Sequence, residues 1–238
     1  MKLFFEKYIV KSLILFFALI VLVLAFKYGV ANLYYLKVDA YLERWQTANQ
    51  VYSDELEDAQ SAVDSMLVWH GHNPQYLDAA AKIFEWHAFH HYGDKTQYSA
   101  SLDKAMELYL RSSDSRPMWP NTWIAMAMVK VNLEEFDDTF FHYINRSEST
   151  GPYNPDVNYN IAKTQLLYWS ILPKKFRNTG LEHIKRTLNN NQIRFKLLSY
   201  SRTIGKQKIV CAIAKLNKIN SIAHNSSCKQ YLSSNNAK

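Results

Sequence analysis

The chain has 238 residues and a net charge of +7; 48% of its residues are hydrophobic and 14% aromatic, and it contains only 6 Gly and 6 Pro. Such a composition excludes a turn-rich all-β fold and a disordered chain. The length suits one membrane anchor followed by one domain of ordinary size.

The charge is unevenly distributed along the chain. From Lys174 to the end there are 14 Lys and Arg and one acidic residue, Glu182, whereas residues 1–173 hold 14 basic and 20 acidic residues. The sequence therefore predicts an acidic body with a basic C-terminal segment. Three explanations are open: an anionic partner for the tail, neutralisation of the tail by the body, or a solvated tail.

The first predicted element is a membrane anchor within residues 9–36. Its centre is an uncharged run of 15 residues, from Ser12 to Phe26. With its weakly charged flanks the run is long enough to span a bilayer, and Lys27 reaches the headgroups by extending its ammonium group. Lysines outnumber the single glutamate before the run, so residues 1–8 are predicted to stay in the cytoplasm. The chain is thus predicted to be a single-pass protein of the bacterial inner membrane, with all residues after the anchor in the periplasm.

The same segment also has features of a cleaved signal peptide. Gly29, Val30 and Ala31 satisfy the small-residue rule for a cleavage site. Against cleavage, the apolar run is long, and Lys27 lies where a signal peptide is uncharged. The sequence favours an uncleaved anchor and leaves the removal of residues 1–31 open.

Residues 37–189 are predicted to form a domain of successive helices. Apolar residues recur at helical spacing throughout, and no segment alternates with a period of two over the length of a strand. The predicted helices are 38–51, 54–70, 74–91, 97–113, 121–132, 134–147, 156–169 and 175–189. The predicted fold class is therefore all-α.

The fifth and sixth predicted helices carry a degenerate tetratricopeptide (TPR) pattern. Trp123 stands at the first signature position, Met126 and Ala127 follow at the Leu-Gly pair, and Thr139 and Tyr143 occupy the small and aromatic positions of the second helix. In such repeats small residues let two antiparallel helices approach, and large residues fill the space to the next pair. The pattern predicts a TPR-like array of helical hairpins, with a plain helical bundle as the alternative.

Repeat geometry also predicts a surface for a partner. The first helix of each pair lines a concave groove in such arrays. In this register five residues of the fifth helix are predicted to face the groove: Asn121, Ile124, Met128, Val131 and Asn132. The alternative is that the three apolar members of this set belong to the core.

The C-terminal segment, residues 190–238, contains the two cysteines of the chain, Cys211 and Cys228. An oxidising compartment would join them in a disulfide that closes a loop of about 17 residues and stabilises the fold by roughly 3 kcal/mol. Apolar residues recur between lysines around Cys211, which predicts an amphipathic helix that the disulfide holds on the body. The alternative is that Cys211 is a free, buried core residue.

No pattern for catalysis or cofactor binding is found. His87, His90 and His91 share a helix face, but no cysteine cluster or His-Glu-x-x-His motif accompanies them, so an exposed helix end is favoured over a metal site. The acidic runs 54–58 and 134–138 open helices, where carboxylates offset the helix dipole. The sequence predicts no enzyme, no cofactor and no metal.

Several stretches together resemble one known family. HGHNPQYLDAAAKIFEW (70–86), RPMWPNTWIAMAMVKVNLEEFDD (116–138), the turn GPYNPDV (151–157) and the two late cysteines resemble the VpsP-like polysaccharide biosynthesis proteins. The resemblance covers roughly residues 30–230. It implies a small single-anchor membrane protein associated with exopolysaccharide assembly, without catalytic residues, whose partners are protein components of an envelope polysaccharide assembly machine.

These observations predict a non-enzymatic, membrane-anchored periplasmic adaptor or scaffold that supports exopolysaccharide biosynthesis or export. One alternative is a glycan-binding module in which Trp119 and Tyr153 offer exposed aromatic faces and the basic segment 174–208 meets an anionic polysaccharide. A generic TPR-like protein-interaction protein of the envelope is another. Nucleic acid is not an expected partner, because the basic tail lies outside the cytoplasm.

Overall fold

The computed structural model describes residues 2–233, and the side chains of residues 8–229 except Lys175 and Asn178. Within these residues all regular structure is helical, which confirms the predicted all-α class. The helices are α1 (Lys2–Ala48), α2 (Ser53–His70), α3 (Pro74–His90), α4 (Lys95–Ser115), α5 (Pro120–Asn132), α6 (Asp138–Thr150), α7 (Pro155–Tyr168), α8 (Lys174–Asn189), α9 (Arg194–Thr203), α10 (Gln207–Leu216), α11 (Asn220–Ala223) and α12 (Ser226–Ser233).

The chain divides into two compact units, Met1–Pro117 (unit 1) and Met118–Lys238 (unit 2). Unit 1 contains α1–α4 and unit 2 contains α5–α12. The predicted boundary after residue 189 does not coincide with this division. Residues beyond 189 share a core with α7 and α8, so they form part of unit 2.

Consecutive helices pair as antiparallel hairpins: α1 with α2, α3 with α4, α5 with α6, and α7 with α8. Short turns separate the partners, and polar side chains mark where several helices begin. Asn73, Asp94, Asp137 and Asn154 each accept hydrogen bonds from backbone N–H groups of the first turn that follows. These caps satisfy donors that a helix leaves unpaired at its start. The predicted hairpin architecture is therefore present.

Helix α1 passes through two environments. Every residue from 8 to 29 is exposed, and this stretch contains the apolar run. It makes α1 the one helix, among the described residues, that is long and apolar enough to cross a membrane. Beyond residue 29 one face of the same helix is buried in unit 1, through Ala31, Val38, Leu42 and Trp45. The first predicted domain helix, 38–51, is thus a continuation of the candidate anchor.

Polar contacts fasten the second half of α1 to α2. The Lys37 ammonium lies 2.8 Å from a carboxylate oxygen of Asp58, which also accepts a hydrogen bond from the Tyr41 hydroxyl. These hydrogen bonds lower the pKa of Asp58. Nearer the end of α1, the indole N–H of Trp45 donates to Glu55 at 2.6 Å. These contacts join the last part of α1 to the first turns of α2.

Helix α6 begins at Asp138, four residues later than predicted. Glu134 takes a left-handed backbone conformation with φ of 58°, which interrupts the helix there, and Asp137 then caps the new start. The burial of residues in α6 also differs from the prediction. Thr139, predicted as the small residue of the hairpin interface, is exposed, whereas Phe140 is fully buried.

The C-terminal helices pack against α7 and α8 in one apolar core. Cys211 of α10 and Cys228 of α12 form the predicted disulfide, with Cα atoms 5.4 Å apart and both residues fully buried. Leu197 and Leu198 of α9 reach the same core. Helix α9 was not predicted, because its two adjacent leucines lie in an otherwise polar segment of ten residues and show no helical periodicity.

The predicted neutralisation of the tail by the acidic body is not found within unit 2. Among the described residues of this unit, the only ion pairs from α8–α12 to an earlier helix go to Glu148, from His183 at 3.4 Å and Arg186 at 3.9 Å. Apolar packing holds the tail instead. Unit 2 as a whole contains 17 Lys and Arg against 7 Asp and Glu, a net charge of +10.

We expect Cys211 and Cys228 to be oxidised in protein taken from its native compartment. Alkylation under denaturing conditions without reductant should label neither residue, and reduction should then release two thiols that mass spectrometry counts. After reduction, amide exchange should first accelerate in residues 207–233, because a short loop restrains mainly its own segment. Two alkylated thiols before reduction would contradict the disulfide.

Candidate functional site

The hairpin of α5 and α6 is held by aromatic and small side chains. The rings of Trp123 and Tyr143 lie 6.1 Å apart, and the Arg146 guanidinium lies 5.1 Å from the centre of the Trp123 ring. Met126 and Ala127 are fully buried. The first-helix positions of the TPR pattern therefore lie where the pattern predicts, although the second helix is shifted.

The five residues predicted to line a groove occupy different environments. Ile124 is buried, Asn121, Met128 and Val131 are half-buried, and Asn132 is exposed. The Met128 sulfur lies 3.9 Å from the hydroxyl of Thr164, so this part of α5 contacts α7. Partner binding by the five residues stays a prediction, and Asn132 is the member with the most accessible surface.

Asn121 has a structural role at one end of unit 2. Its side-chain oxygen accepts a hydrogen bond from the Asn154 amide at 2.7 Å, and its amide lies 3.5 Å from Asp156. A Cβ added to Gly151 would lie 2.6 Å from the Pro120 ring, so only glycine fits there. The turns before α5 and α7 are therefore packed directly on each other.

Two large aromatic residues are exposed on these packed turns. Trp119 precedes α5 with 46% of its surface exposed, and Tyr153 precedes α7 with 82% exposed. The Arg186 guanidinium lies 5.6 Å from the centre of the Tyr153 ring. We call Trp119, Tyr153 and Arg186 the aromatic end of unit 2. Flat rings beside a cation are suited to stacking on a sugar ring and pairing with a carboxylate.

A second cationic feature, which the sequence analysis missed, joins α7 to α9. The Lys163 ammonium lies 5.6 Å from the centre of the Tyr159 ring and 5.0 Å from that of Tyr200, and the Lys196 ammonium lies 4.9 Å from the Tyr159 ring. Burial, and then the charge of Lys196, lowers the pKa of Lys163. Burial raises the pKa of Tyr159 to about 12.

The signal for this feature was in the sequence. Tyr159 and Lys163 are four residues apart, and so are Lys196 and Tyr200. On a helix this spacing places both members of a pair on one face. None of the ion pairs formed by described residues involves either lysine. The two ammonium groups therefore add to the uncompensated positive charge of unit 2.

The clustered histidines of unit 1 line an open cavity of about 490 Å³ beside α2. His87 contacts the Ser101 hydroxyl at 2.7 Å, His91 contacts the His87 carbonyl oxygen at 2.9 Å, and His90 contacts Ser53 at 3.3 Å. Burial lowers the pKa of His87, which favours its neutral form. No three His, Cys, Asp or Glu side chains in the described part of the chain are placed to hold a metal ion. His87 and His90 thus join α3 to α4 and α2, and His91 contacts the end of its own helix.

Replacing Asn121 with Ala should destabilise unit 2 more than replacing Asn145, which is exposed on α6, with Ala. Both changes gain helix propensity, but only the first removes the hydrogen bond to Asn154, at a cost of about 1 kcal/mol. Urea unfolding of the full chain in detergent, followed by circular dichroism, gives both free energies. Equal values for the two variants would show that the Asn121 contact does not stabilise the fold.

Comparisons with known proteins add little to this geometry. No protein-family model matches the sequence, and no curated protein matches it. A structure described as "Functional Characterization of Pseudomonas Aeruginosa pilF" contains a chain that is 10% identical, with a TM-score of 0.34 over 87% of this chain and 99% of that chain. A similarity this low carries no argument about function.

Proposed function

We propose that the chain is a non-enzymatic adaptor, anchored in a bacterial inner membrane and working in the periplasm, that supports exopolysaccharide biosynthesis or export. The observation that carries the proposal is the division of α1 into an exposed apolar half and a half packed in unit 1. The same helix thereby links a membrane to a folded domain.

The exposed half of α1 supports the anchor. A helix that is apolar on all sides is stable only inside a large core or in a membrane. Residues 8–29 have no core around them. Their transfer from water to hydrocarbon is strongly favourable, because about 20 apolar residues match the thickness of a bilayer.

Two independent features support a periplasmic location for both units. Three lysines and one glutamate precede the apolar run, and an excess of positive charge marks the cytoplasmic flank of a membrane helix. A buried disulfide joins Cys211 to Cys228, and disulfides persist in oxidising compartments such as the periplasm. Both features are expected if the chain after the anchor is exported.

The adaptor role is supported by the helical hairpins and by the sequence resemblance. Successive hairpins expose long helix faces that suit binding to another protein. Two stretches resemble the VpsP-like polysaccharide biosynthesis proteins. The stretch 70–86 contains most of α3, and the stretch 116–138 contains α5 and the turn that leads to α6. The proposed partners are protein components of the polysaccharide assembly machine.

Deletion of the gene in its native host should lower the amount of exopolysaccharide, and the full chain should restore it. The decisive variant replaces residues 1–29 by a cleavable signal peptide, which delivers the same two units to the periplasm without an anchor. It should restore less exopolysaccharide than the full chain at equal protein levels, because the adaptor acts at the membrane.

Cell-surface carbohydrate is measured in each strain, with immunoblots to match expression. Unchanged exopolysaccharide in the deletion strain would overturn the proposed role. Complete restoration by the anchor-free variant would show instead that the role does not depend on membrane attachment.

A second candidate function, binding of an acidic glycan by unit 2, is favoured by the aromatic end. Trp119 and Tyr153 are both exposed there, and the Arg186 guanidinium lies 5.6 Å from the centre of the second ring. The net charge of +10 on unit 2 adds long-range attraction for a polyanion. In this arrangement the rings would stack on sugars, and the Arg186 guanidinium, which also lies 3.9 Å from Glu148, would attract a sugar carboxylate.

Replacing Tyr153 with Ala should weaken binding of polygalacturonate, an acidic polysaccharide probe, about fivefold, since a lost ring contact costs about 1 kcal/mol. Tyr92→Ala is the matched control, because Tyr92 is 75% exposed but lies in unit 1. Isothermal titration of the full chain at low salt measures both. No binding by the unaltered chain, or equal weakening by both variants, rules out this site.

A further inference from the structure

The C-terminal end of α2 lies beside the point where the apolar run of α1 ends. The two helices are antiparallel, and the contact between Trp45 and Glu55 at one end has a counterpart at the other. There the ring of Phe26 lies 6.0 Å from that of Trp69, and the ring of Tyr28 lies 4.6 Å from that of His70. The packed part of unit 1 therefore begins at the last residues of the run, without an intervening linker.

We infer that Val68, Trp69 and His70, the lipid-facing end of α2, form a surface that contacts the headgroup region of the membrane in which α1 is anchored. The inference rests on the anchor proposed above and adds a second, peripheral membrane contact made by the folded domain. It follows from the depth at which α1 must lie.

The contacts of unit 1 limit how far α1 enters the bilayer. A hydrocarbon core of about 30 Å requires about 20 helical residues at 1.5 Å each. A span ending at Ala31 would place Phe26 about 7 Å inside the hydrocarbon and would carry Trp69, His70 and the following turn with it. The backbone groups of that turn would then lose water as a hydrogen-bond partner, at a cost of several kcal/mol.

A span that ends near Phe26 avoids this cost and reaches back to about Lys7. Lys7 and Lys27 then flank the hydrocarbon, and Lys11 lies one turn inside, from where its ammonium group can extend to the headgroups. Tyr35 is farther along α1, where it accepts a hydrogen bond from Gln75 at 2.7 Å within unit 1. The span keeps the predicted length of about 20 residues and lies towards the N-terminal side of the predicted anchor segment, residues 9–36.

The chemistry of the lipid-facing end suits the boundary between headgroups and acyl chains. Val68 is 83% exposed, although it is apolar. Trp69 and His70 are half-buried, and each combines an apolar ring with a polar N–H group. Tryptophan in particular is enriched at membrane interfaces. Arg111 of α4 donates a hydrogen bond to the Gly71 carbonyl at 2.9 Å, which brings a cation to the same end.

Single-cysteine labelling of the full chain tests the inference. The described cysteines are joined in the disulfide, so a thiol introduced at Val68→Cys reacts selectively with an environment-sensitive fluorophore. Ser61→Cys is the matched control. Residue 61 is exposed on α2 and lies two turns before Val68 on the same face, about 10 Å farther from the membrane. Leu22→Cys reports insertion of the anchor itself.

The labelled chains are placed in phosphatidylcholine–phosphatidylglycerol nanodiscs that carry a nitroxide quencher either on the headgroup or within the acyl chain. We expect the headgroup nitroxide to quench the Val68→Cys label at least twofold more than the Ser61→Cys label, and the acyl-chain nitroxide to quench the Leu22→Cys label most.

Equal quenching at positions 68 and 61, with strong quenching at position 22, would overturn the lipid contact and leave the anchor intact. Absence of lipid quenching at position 22 would overturn the anchor and the lipid contact together. Strong quenching of the Val68→Cys label by the acyl-chain nitroxide would show a deeper span and would contradict the depth argued here.

Discussion

The burial of one face of α1 in unit 1 is the constraint on which the proposed membrane attachment depends. Val38, Leu42 and Trp45 are almost completely removed from solvent, and each such side chain contributes about 1.5–3 kcal/mol relative to exposure. Bending α1 between its two halves would break the contacts that the end of the first half makes with α2, between Phe26 and Trp69 and between Tyr28 and His70. In the proposed attachment the domain therefore follows the orientation of the anchor, and a partner bound to unit 1 would be held at a defined height above the membrane.

Unit 2 is held together by apolar packing and carries an excess of positive charge. Its C-terminal helices are held by a shared core and by a buried disulfide, so their lysines are not needed for ion pairs that stabilise the fold. Lys163 and Lys196 lie against tyrosine rings, which accept a cation without neutralising it. This arrangement leaves unit 2 positive and attractive to anions, while unit 1 has a net charge of −3 from 11 basic and 14 acidic residues.

Features that depend on local patterns were predictable, and those that depend on distant contacts were not. Helix α3 was placed almost to the residue, because Asn73 and Pro74 mark its start and apolar residues follow at helical spacing. The predicted start of α6 was wrong, because nothing in the amino-acid composition indicates that the backbone of Glu134 takes a left-handed conformation. Likewise, Ile124 is buried and Phe26 contacts Trp69 through residues that are distant in sequence, and no local pattern predicts such contacts.

In the proposed attachment, α1 is one uninterrupted helix from the membrane into the core of unit 1. Hydrogen–deuterium exchange of the full chain in nanodiscs tests this continuity at residues 27–36, which lie beyond the proposed span and before most of the buried face. We expect these amides to exchange as slowly as those of residues 38–48, because the helix continues without a break. Fast exchange in 27–36, with protection on both sides, would reveal a hinge and contradict the rigid link between the membrane and the domain.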